Sequence, residues 1–300
     1  MGIKTSLKMK LKILIIGSSG QIGGALLDVL SKNKAFKVVG ADKISSKGTP
    51  FLDITKKRGV NRFFKKIKPQ VIILLAAFTN VDACEDRRTF AYNTNVKGVN
   101  NVVQAAKRNL AKLIYISTAY VFDGKRGDYK EDDKPHPINF YAKTKLEAER
   151  IIQKELKDYL IIRTNWIFDL GYDQKNFVIR LLNTLKKKES LKVPNNQYGN
   201  PTLARNIAWV LEELIRKNKK GIYHIAGRDK MSKYQWAIRV AKHFNLDHKL
   251  IIPVSSKTLK QKARRPKKDD LNLTKAKKEL NTKLLSLKEA LVLLNQRIKL

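Results

Sequence analysis

Two side chains at helical spacing could together carry proton transfer. Tyr141 and Lys145 stand four residues apart in the segment Tyr-Ala-Lys-Thr-Lys, and residues at that spacing lie one above the other on a helix face. A free phenol, with a pKa of about 10, is a poor base at neutral pH, but a cation held beside it lowers that pKa. Such a tyrosine could exchange a proton with a carbonyl or alcohol oxygen while a nicotinamide exchanges hydride.

A hydroxyl group is predicted to join this pair from the end of a strand. Ser117 and Thr118 close an apolar run of strand length upstream of Tyr141. Ligands bind at the carboxyl ends of strands in open α/β sheets. Thr118 could therefore hold the same substrate oxygen as Tyr141.

A glycine-rich turn near the start of the chain predicts a dinucleotide site. Residues 17–23 read Gly-Ser-Ser-Gly-Gln-Ile-Gly, between a predicted strand and a predicted helix. The glycines permit a tight turn, close approach of the backbone to a pyrophosphate, and close packing of helix on strand. The helix N-terminus adds free N–H groups and a partial positive charge. We assign cofactor contacts here to Gly17, Ser19, Gly20, Gln21 and Ile22.

The end of the second predicted strand bears on the choice of nicotinamide cofactor. Asp42 lies there, where a carboxylate can bond a ribose 2′-hydroxyl and would repel a 2′-phosphate. Its neighbour Lys43 could instead pair with the phosphate of NADP. Both NADH and NADPH therefore remain open at this point.

The elements that position these groups follow the pattern of a parallel α/β sheet. Strand-length runs alternate with amphipathic helical stretches through the first half of the chain, which is typical of βαβ units. The predicted strands are 12–16, 37–40, 71–76, 113–117 and 160–163, and the predicted helices are 21–30, 60–66, 85–108 and 140–155. We predict a Rossmann-type, doubly wound α/β fold with a smaller, interleaved C-terminal substrate-binding domain.

The order of elements becomes less regular after residue 165. Helices are predicted at 176–187, 203–216 and 234–244, a strand at 222–225, a loop at 194–201, a loop-rich stretch at 254–283, and a final helix from about Ser286. The chain shows no internal repeat or linker. We assign residues 1–165, with about 203–228, to the dinucleotide-binding domain, and residues 166–202 and 229–300 to the substrate-binding part.

Charge and composition limit the classes of partner. The formal charge is +37, a field that attracts polyanions. The lysines are spread along the whole chain without a zinc finger or an RNP-type aromatic pattern, so we interpret them as a lysine-rich surface and expect no specific nucleic acid partner. No apolar run reaches the length of a membrane span and the basic start leads straight into a strand, which favours a cytoplasmic protein.

No residue pattern predicts a metal site or a disulfide. Cys84 is the single cysteine and has acidic neighbours, so we interpret it as structural. His136, His224, His243 and His248 lack ligand spacing. We expect no metal site, and the sequence gives no support for Mg²⁺.

Several motifs in chain order resemble those of extended short-chain dehydrogenases/reductases, and in particular the dTDP-4-dehydrorhamnose reductase family. The resemblance spans roughly residues 12–275. Its motifs are the turn 17–23, Ala-Ala-Phe-Thr-Asn-Val-Asp at 76–82, Ser-Thr-Ala-Tyr-Val-Phe-Asp-Gly at 117–124, the segment 141–145, Arg-Thr-Asn-Trp-Ile-Phe at 163–168, Asn-Asn-Gln-Tyr-Gly-Asn-Pro-Thr at 195–202, and Arg-Pro-Lys-Lys-Asp-Asp-Leu at 265–271.

The resemblance implies a reaction and a role for each matched residue. It implies NAD(P)H-dependent reduction of the C4 keto group of a nucleotide-linked 4-keto-6-deoxy sugar. Tyr141 would protonate the C4 oxygen, Lys145 would bind the nicotinamide ribose and tune Tyr141, and Thr118 would orient the carbonyl. Further cofactor contacts would come from Asp53, Ile54, Ala76, Ala77 and Thr79, and substrate contacts from Val81, Asp82, Trp166 and Arg265. The resemblance is also compatible with a homodimer.

Two departures from the family pattern leave the sugar and the nucleotide open. Ala119 stands where an acidic or polar residue is usual, and Asp269 stands where the Arg-Pro motif usually continues with serine. The absence of an acidic pair after Thr118 argues against a 4,6-dehydratase. A sugar-nucleotide 4-epimerase with retained NAD remains an alternative, as does a non-catalytic regulatory subunit, since the fold also resembles the beta subunit of methionine adenosyltransferase.

Overall fold

The computed structural model of this chain describes residues 10–44, 48–172 and 176–295. The predicted domain limits at residues 1 and 300 lie outside these ranges. The strands are β1 (Leu11–Ile16), β2 (Phe36–Ala41), β3 (Val71–Leu74), β4 (Lys112–Thr118), β5 (Tyr159–Thr164), β6 (Ile167–Phe168), β7 (Leu191–Pro194), β8 (Tyr198–Gly199), β9 (Thr202–Leu203), β10 (Gly221–His224), β11 (Met231–Ser232) and β12 (Ile251–Val254). The α-helices are α1 (Gln21–Leu30), α2 (Lys57–Ile67), α3 (Val81–Asp86), α4 (Arg88–Tyr92), α5 (Val99–Arg108), α6 (Phe140–Glu155), α7 (Phe177–Lys186), α8 (Ala204–Arg216), α9 (Lys233–His243), α10 (Thr274–Glu279) and α11 (Leu287–Asn295).

Six parallel strands form the central sheet in the order β10-β5-β4-β3-β1-β2. The strand β2 lies on one side of β1, and β3 and the later strands lie on the other. The point between β1 and β3 is therefore the switch point, where doubly wound sheets bind ligands. The predicted Rossmann-type α/β fold is thus confirmed.

Apolar strands are covered by helices on both faces of this sheet. Ile13, Leu14, Ile15 and Ile16 of β1 are fully buried and alternate between two hydrophobic clusters. One cluster contains residues of α1 and α8, and the other contains residues of α2 and α5. Burial on both faces explains why these strands are continuous apolar runs instead of alternating ones.

A third hydrophobic cluster lies beyond the sheet, around Trp236. It combines residues of α7, α9 and α11 with Val193, Leu203 and Ile251, and three two-stranded pairings, β7 with β12, β8 with β11 and β6 with β9, connect the segments around it. In contrast, α8 packs on α1, and β10 joins the central sheet beside β5. The division of the chain into domains stays a prediction.

The single helix predicted at 85–108 is wrong. The structure has α3, a break at Arg87 (φ −116°, ψ 50°), α4, a π-helical turn at Asn93–Gly98, and then α5. The buried Asn95 in this turn accepts a hydrogen bond from the Phe78 N–H (2.7 Å) and donates to the Phe78 carbonyl (3.1 Å) and the Thr144 hydroxyl (3.1 Å). Single π-turns often occur at functional sites, and this one fixes the loop that follows β3.

The predictions of a loop at 194–201 and of a loop-rich stretch at 254–283 are partly correct. Tyr198 and Gly199 of the segment 194–201 form β8, and the segment 254–283 contains α10. These elements were missed because they are short and have no repeating apolar pattern. In the part of the chain that the structure describes, no helix is long and apolar enough to cross a membrane.

Candidate active site

A cleft of about 910 Å³ opens at the carboxyl ends of the central strands. Sixteen of the residues singled out in the sequence line it, and the exceptions are Lys145, Asp82 and Arg265. The residues that line it are Gly17, Ser19, Gly20, Gln21, Ile22, Asp42, Lys43, Asp53, Ile54, Ala76, Ala77, Thr79, Val81, Thr118, Tyr141 and Trp166.

The glycine-rich turn meets the requirements of a pyrophosphate site. Gly17 has φ +91°, and a Cβ there would lie 2.7 Å from the Ala76 nitrogen. A Cβ on Gly23 would lie 2.4 Å from the Gly17 carbonyl oxygen, so helix and strand pack too closely for a side chain. Gly20, the N-cap of α1, supplies no side-chain cap, and the first turn contains no acidic residue. The N–H groups at this helix start therefore suit an anion in the cleft.

The end of β2 carries both an acidic and a basic group. Asp42 accepts hydrogen bonds from the Ser19 N–H (2.9 Å) and the Ile44 N–H (3.1 Å). The Lys43 ammonium lies 3.0 Å from an oxygen of Asp53. Burial acts to raise the pKa of Asp53, but hydrogen bonds from Thr55 and the Lys43 charge hold it below its usual value.

A second cavity, of about 510 Å³, lies beside this end of the cleft. Lys43, Lys56 and Lys97 line it, and Asp53 is the one acidic residue in its lining. Its electrostatic potential is therefore positive, which suits a phosphate group.

Tyr141 and Thr118 lie together on the wall of the cleft. Burial raises the pKa of Tyr141 far above its usual value, and only a hydrogen bond from the Thr118 hydroxyl opposes that rise. Lys145 is not among the causes of this shift, and its tuning of Tyr141 stays a prediction. At neutral pH the phenol stays protonated and is suited to donate a proton.

Lys145 lies behind Tyr141 in the protein interior, where 3% of its surface is exposed. Its ammonium donates to the Ile116 carbonyl oxygen (2.7 Å) and lies 4.0 Å from the centre of the Tyr115 ring. Burial lowers the pKa of Lys145 to about 7, against the charge of Glu149, which raises it. Its predicted contact with the nicotinamide ribose stays a prediction.

On the substrate side, Arg265 and Asp82 bind each other. The guanidinium donates to both carboxylate oxygens of Asp82, at 3.0 and 2.9 Å, and to the Ala263 carbonyl oxygen at 2.7 Å. Burial would raise the pKa of Asp82, but Arg265 and the Ala263 N–H lower it. These bonds hold the guanidinium against Asp82, and the predicted substrate contacts of both residues stay predictions.

Trp166 projects from a strained backbone position, with φ +43°. Its ring lies against that of Trp236, with centroids 5.5 Å apart and planes at 18°. A left-handed conformation is unusual for a bulky residue and marks sites where position matters. The exposed part of the ring faces the cleft that contains Tyr141.

Two residues outside the predicted set of site residues stand out at this end. Lys233, the first residue of α9, lines the cleft. The sequence Ser232-Lys-Tyr-Gln235 has the form of a capping box, which indicates a helix start there but not a place in the cleft. Asp269, noted above as a departure, is 1% exposed, and burial raises its pKa to about 8 against the charge of Lys233.

The side chain of Cys84 is fully buried. Burial raises the pKa of the Cys84 thiol to about 11, so its thiolate is disfavoured. Within residues 10–44, 48–172 and 176–295, no cluster of three or more His, Cys, Asp or Glu side chains could hold a metal ion.

A Rossmann sheet with a glycine-rich turn, with Thr118 and Tyr141 in one cleft and Lys145 one turn further along α6, defines the class of extended short-chain dehydrogenases/reductases. Comparison with known proteins narrows this class. The family described as RmlD substrate binding domain matches residues 10–299, and the chain belongs to it.

Individual relatives agree with this assignment. The chain is 36% identical to dTDP-4-dehydrorhamnose reductase of Aggregatibacter actinomycetemcomitans, over 88% of this chain and 91% of the relative. It superimposes on the crystal structure of dTDP-4-dehydrorhamnose reductase from Bacillus anthracis in complex with NADP with a TM-score of 0.89, at 31% identity, over 96% of this chain and 100% of that one. It is also 30% identical to methionine adenosyltransferase 2 subunit beta of Xenopus tropicalis, over 81% of this chain and 75% of the relative.

Proposed function

We propose that this protein reduces the C4 keto group of dTDP-4-dehydrorhamnose, a nucleotide-linked 4-keto-6-deoxy sugar, with NADPH as the preferred hydride donor. The observation that carries the proposal is the grouping of Tyr141 and Thr118 in one cleft with the phosphate-binding turn at one end and Trp166 at the other. The substrate is proposed from the reductases that are similar over most of this chain.

Tyr141 acts as the general acid in this proposal. The bound reduced nicotinamide supplies hydride to C4, and the oxygen gains negative charge as the carbonyl becomes an alkoxide. Tyr141 donates its phenolic proton to that oxygen, completing the alcohol. Burial keeps the phenol protonated before the reaction, which suits proton donation. Thr118, next to the phenol, orients the carbonyl by a hydrogen bond.

We assign to Lys145 a supporting role in this transfer, because an ammonium near the phenol would stabilise the phenolate that Tyr141 leaves. The ammonium is held in the interior by the Ile116 carbonyl oxygen, and burial lowers its pKa to about 7 against the charge of Glu149.

NADPH is favoured by the charges around the end of β2. Three lysines, Lys43, Lys56 and Lys97, face a cavity beside the predicted adenine ribose site. Both carboxylate oxygens of Asp42 accept backbone N–H groups, which hold the carboxylate in place. A 2′-phosphate in the cavity would meet the cations of these lysines.

The reaction is tested by mixing the purified protein with dTDP-4-dehydrorhamnose and either NADPH or NADH, and following the absorbance of the reduced nicotinamide. Substrate-dependent oxidation that falls at least about a hundredfold in Tyr141→Phe is the expected result, since general acids contribute about 10²–10⁴-fold. Tyr92→Phe is a matched control, because that phenol bonds Glu147 away from the cleft lining.

The same assay separates the alternatives. The beta subunit of methionine adenosyltransferase is a relative at a similar level of identity. Binding of the dinucleotide without any turnover would favour a non-catalytic subunit. Interconversion of C4 epimers without net oxidation of the cofactor would favour an epimerase.

A further inference from the structure

Lys233 stands where two cavities of the molecule meet. It lines the cleft that contains Tyr141 and Trp166, and it also lines a separate cavity of about 590 Å³ beside α7. That second cavity is lined by Arg180 and Lys187 as well, with Glu189 as its one acidic residue. A ligand that leaves the cleft past Trp166 would therefore enter a region of positive charge.

Aromatic rings hold two cations at this junction. The Lys233 ammonium lies 5.4 Å from the centre of the Trp166 ring and 5.1 Å from that of Phe177. The guanidinium of Arg180 lies 5.7 Å from the centre of the same Phe177 ring. Both cations are thus held by one ring through cation–π attraction, and neither forms an ion pair with a residue that the structure describes.

The Lys233 ammonium has no hydrogen-bond acceptor among the residues that the structure describes. The charges that act on it are those of Asp269, Arg180 and Arg265. Burial lowers its pKa to about 8, while Asp269 raises it. One oxygen of the buried Asp269 carboxyl likewise has no partner.

The Lys233 side chain is only partly buried and lines both cavities. A bound ligand with acidic oxygens would supply acceptors for its three N–H donors.

We infer that Lys233 and Arg180 bind the diphosphate of the nucleotide sugar, so that the sugar lies on Trp166 towards Tyr141 and the nucleoside extends into the cavity beside α7. This inference rests on the proposed function, because it takes the reacting sugar to lie at Tyr141. Arg265, by comparison, is 11% exposed and pairs with Asp82 at 2.9 Å.

The chemistry of the two side chains fits a diphosphate. A guanidinium can bind two oxygens of a phosphate at once, whereas an ammonium acts as a compact point charge with three donors. Two phosphate groups in series match two cations held by the same Phe177 ring. An uncharged sugar would form no ion pair with either Lys233 or Arg180.

The test is calorimetric titration of the full-length protein, saturated with NADP⁺, with thymidine, dTMP and dTDP. The Lys233→Met variant should bind dTDP about 10- to 100-fold more weakly, the loss expected for a hydrogen bond to a charged group. The affinity for thymidine should be the same in Lys233→Met as in the parent protein. Arg180→Met should show the same selective loss, and Lys233→Arg should restore most of the affinity.

Lys242→Met is the matched control, since Lys242 is exposed near the end of the same helix α9 and should leave dTDP binding unchanged. Melting temperatures and NADPH affinity check that each variant is folded. UDP and GDP are titrated alongside dTDP, so that the preference for a base does not decide the outcome.

Unchanged binding of every nucleoside diphosphate in both Lys233→Met and Arg180→Met would overturn the inference, as would failure of the parent protein to bind any of them. Equal losses for thymidine and dTDP would also overturn it, because the side chains would then act through the fold. A protein that binds dTDP through Lys233 but reduces no sugar nucleotide would contradict the proposed function and leave the inference standing.

Discussion

Arg163 and Glu149 form an ion pair in the interior below the active-site cleft, with 2.8 Å between Arg163 Nη2 and Glu149 Oε2 and exposures of 3% and 0%. The Ser117 hydroxyl donates to the other oxygen of Glu149. The carboxylate thereby joins β4, β5 and α6, and its charge raises the pKa of Lys145 against the effect of burial.

Replacing Glu149 with glutamine should destabilise the fold strongly. Arg163 would keep its charge in the interior without a counter-charge, and breaking a buried pair in this way costs about 3–5 kcal/mol. Denaturant unfolding of the parent and of Glu149→Gln measures the difference. Arg88→Ala, which removes the exposed pair with Glu85, should cost less than about 1 kcal/mol. A similar decrease in the free energy of unfolding in both variants would show that the buried pair contributes no more to stability than the exposed one.

Breaking the contact between Arg265 and Asp82 should weaken substrate binding more than cofactor binding. The contact fastens the segment around Ala263 to the start of α3, next to Val81 in the cleft wall. In Arg265→Met we expect the KM for the sugar nucleotide to rise about tenfold, since a hydrogen bond to a charged group contributes about 1.5–3 kcal/mol.

Steady-state kinetics with each substrate varied in turn separates the two effects. Lys262→Met removes a neighbouring but exposed pair with Asp86 and should change neither KM. If Arg265→Met raised the KM for NADPH and for the sugar nucleotide equally, the pair would support the whole fold instead of the substrate side.

The parts of this structure that follow from local sequence were predictable. Helices α1 and α6 begin and end at the predicted residues. The glycine-rich turn fixes the start of α1, and Asn139 caps α6 by accepting a hydrogen bond from the Ala142 N–H. Both signals act within one helical turn, which is the range that a sequence pattern can encode directly.

The parts that depend on distant contacts were not predictable. The π-turn exists because Asn95 reaches Phe78 and Thr144, and nothing near Asn95 in sequence indicates those partners. Arg265 meets Asp82 across most of the chain length, so its engaged state could not be read from the Arg-Pro motif. Lys233 reaches the cleft only through the packing of α9 on the third cluster. A homodimer and the functional role of each site residue stay predictions.

Acid should destabilise the protein in part through Glu213. Its carboxylate accepts the N–H groups of Asn281 (2.8 Å) and Thr282 (2.7 Å) and pairs with Lys217. Burial alone would raise its pKa, but these partners lower it to about 2. Since the folded-state pKa is depressed, this stabilisation is present above the ordinary value of 4.5 and is lost as the pH falls towards about 2.

Urea unfolding across that pH range checks this expectation. Glu213→Gln should be less stable than the parent at neutral pH, and the difference should shrink as the pH falls from about 4.5 to about 2. Asp132→Asn changes an exposed carboxylate and should follow the parent curve. A Glu213→Gln deficit that is the same at every pH would point to lost packing instead of lost charge.

Cofactor preference should depend on the balance between Lys43 and Asp42. In Lys43→Met the KM for NADPH should rise about tenfold while that for NADH stays unchanged, because a phosphate contact is lost and a ribose hydroxyl contact is not. A tenfold rise lies near the lower limit expected for the loss of a hydrogen bond to a charged group, because Lys43 is 58% exposed and solvent screens its charge. Asp42→Asn should act in the opposite direction and lower the KM for NADPH relative to that for NADH, because a 2′-phosphate would no longer face a carboxylate.

Lys37→Met is the control, since Lys37 is at an exposed position in β2 away from the cleft. An unaltered ratio of the two KM values in Lys43→Met would refute the role given to Lys43.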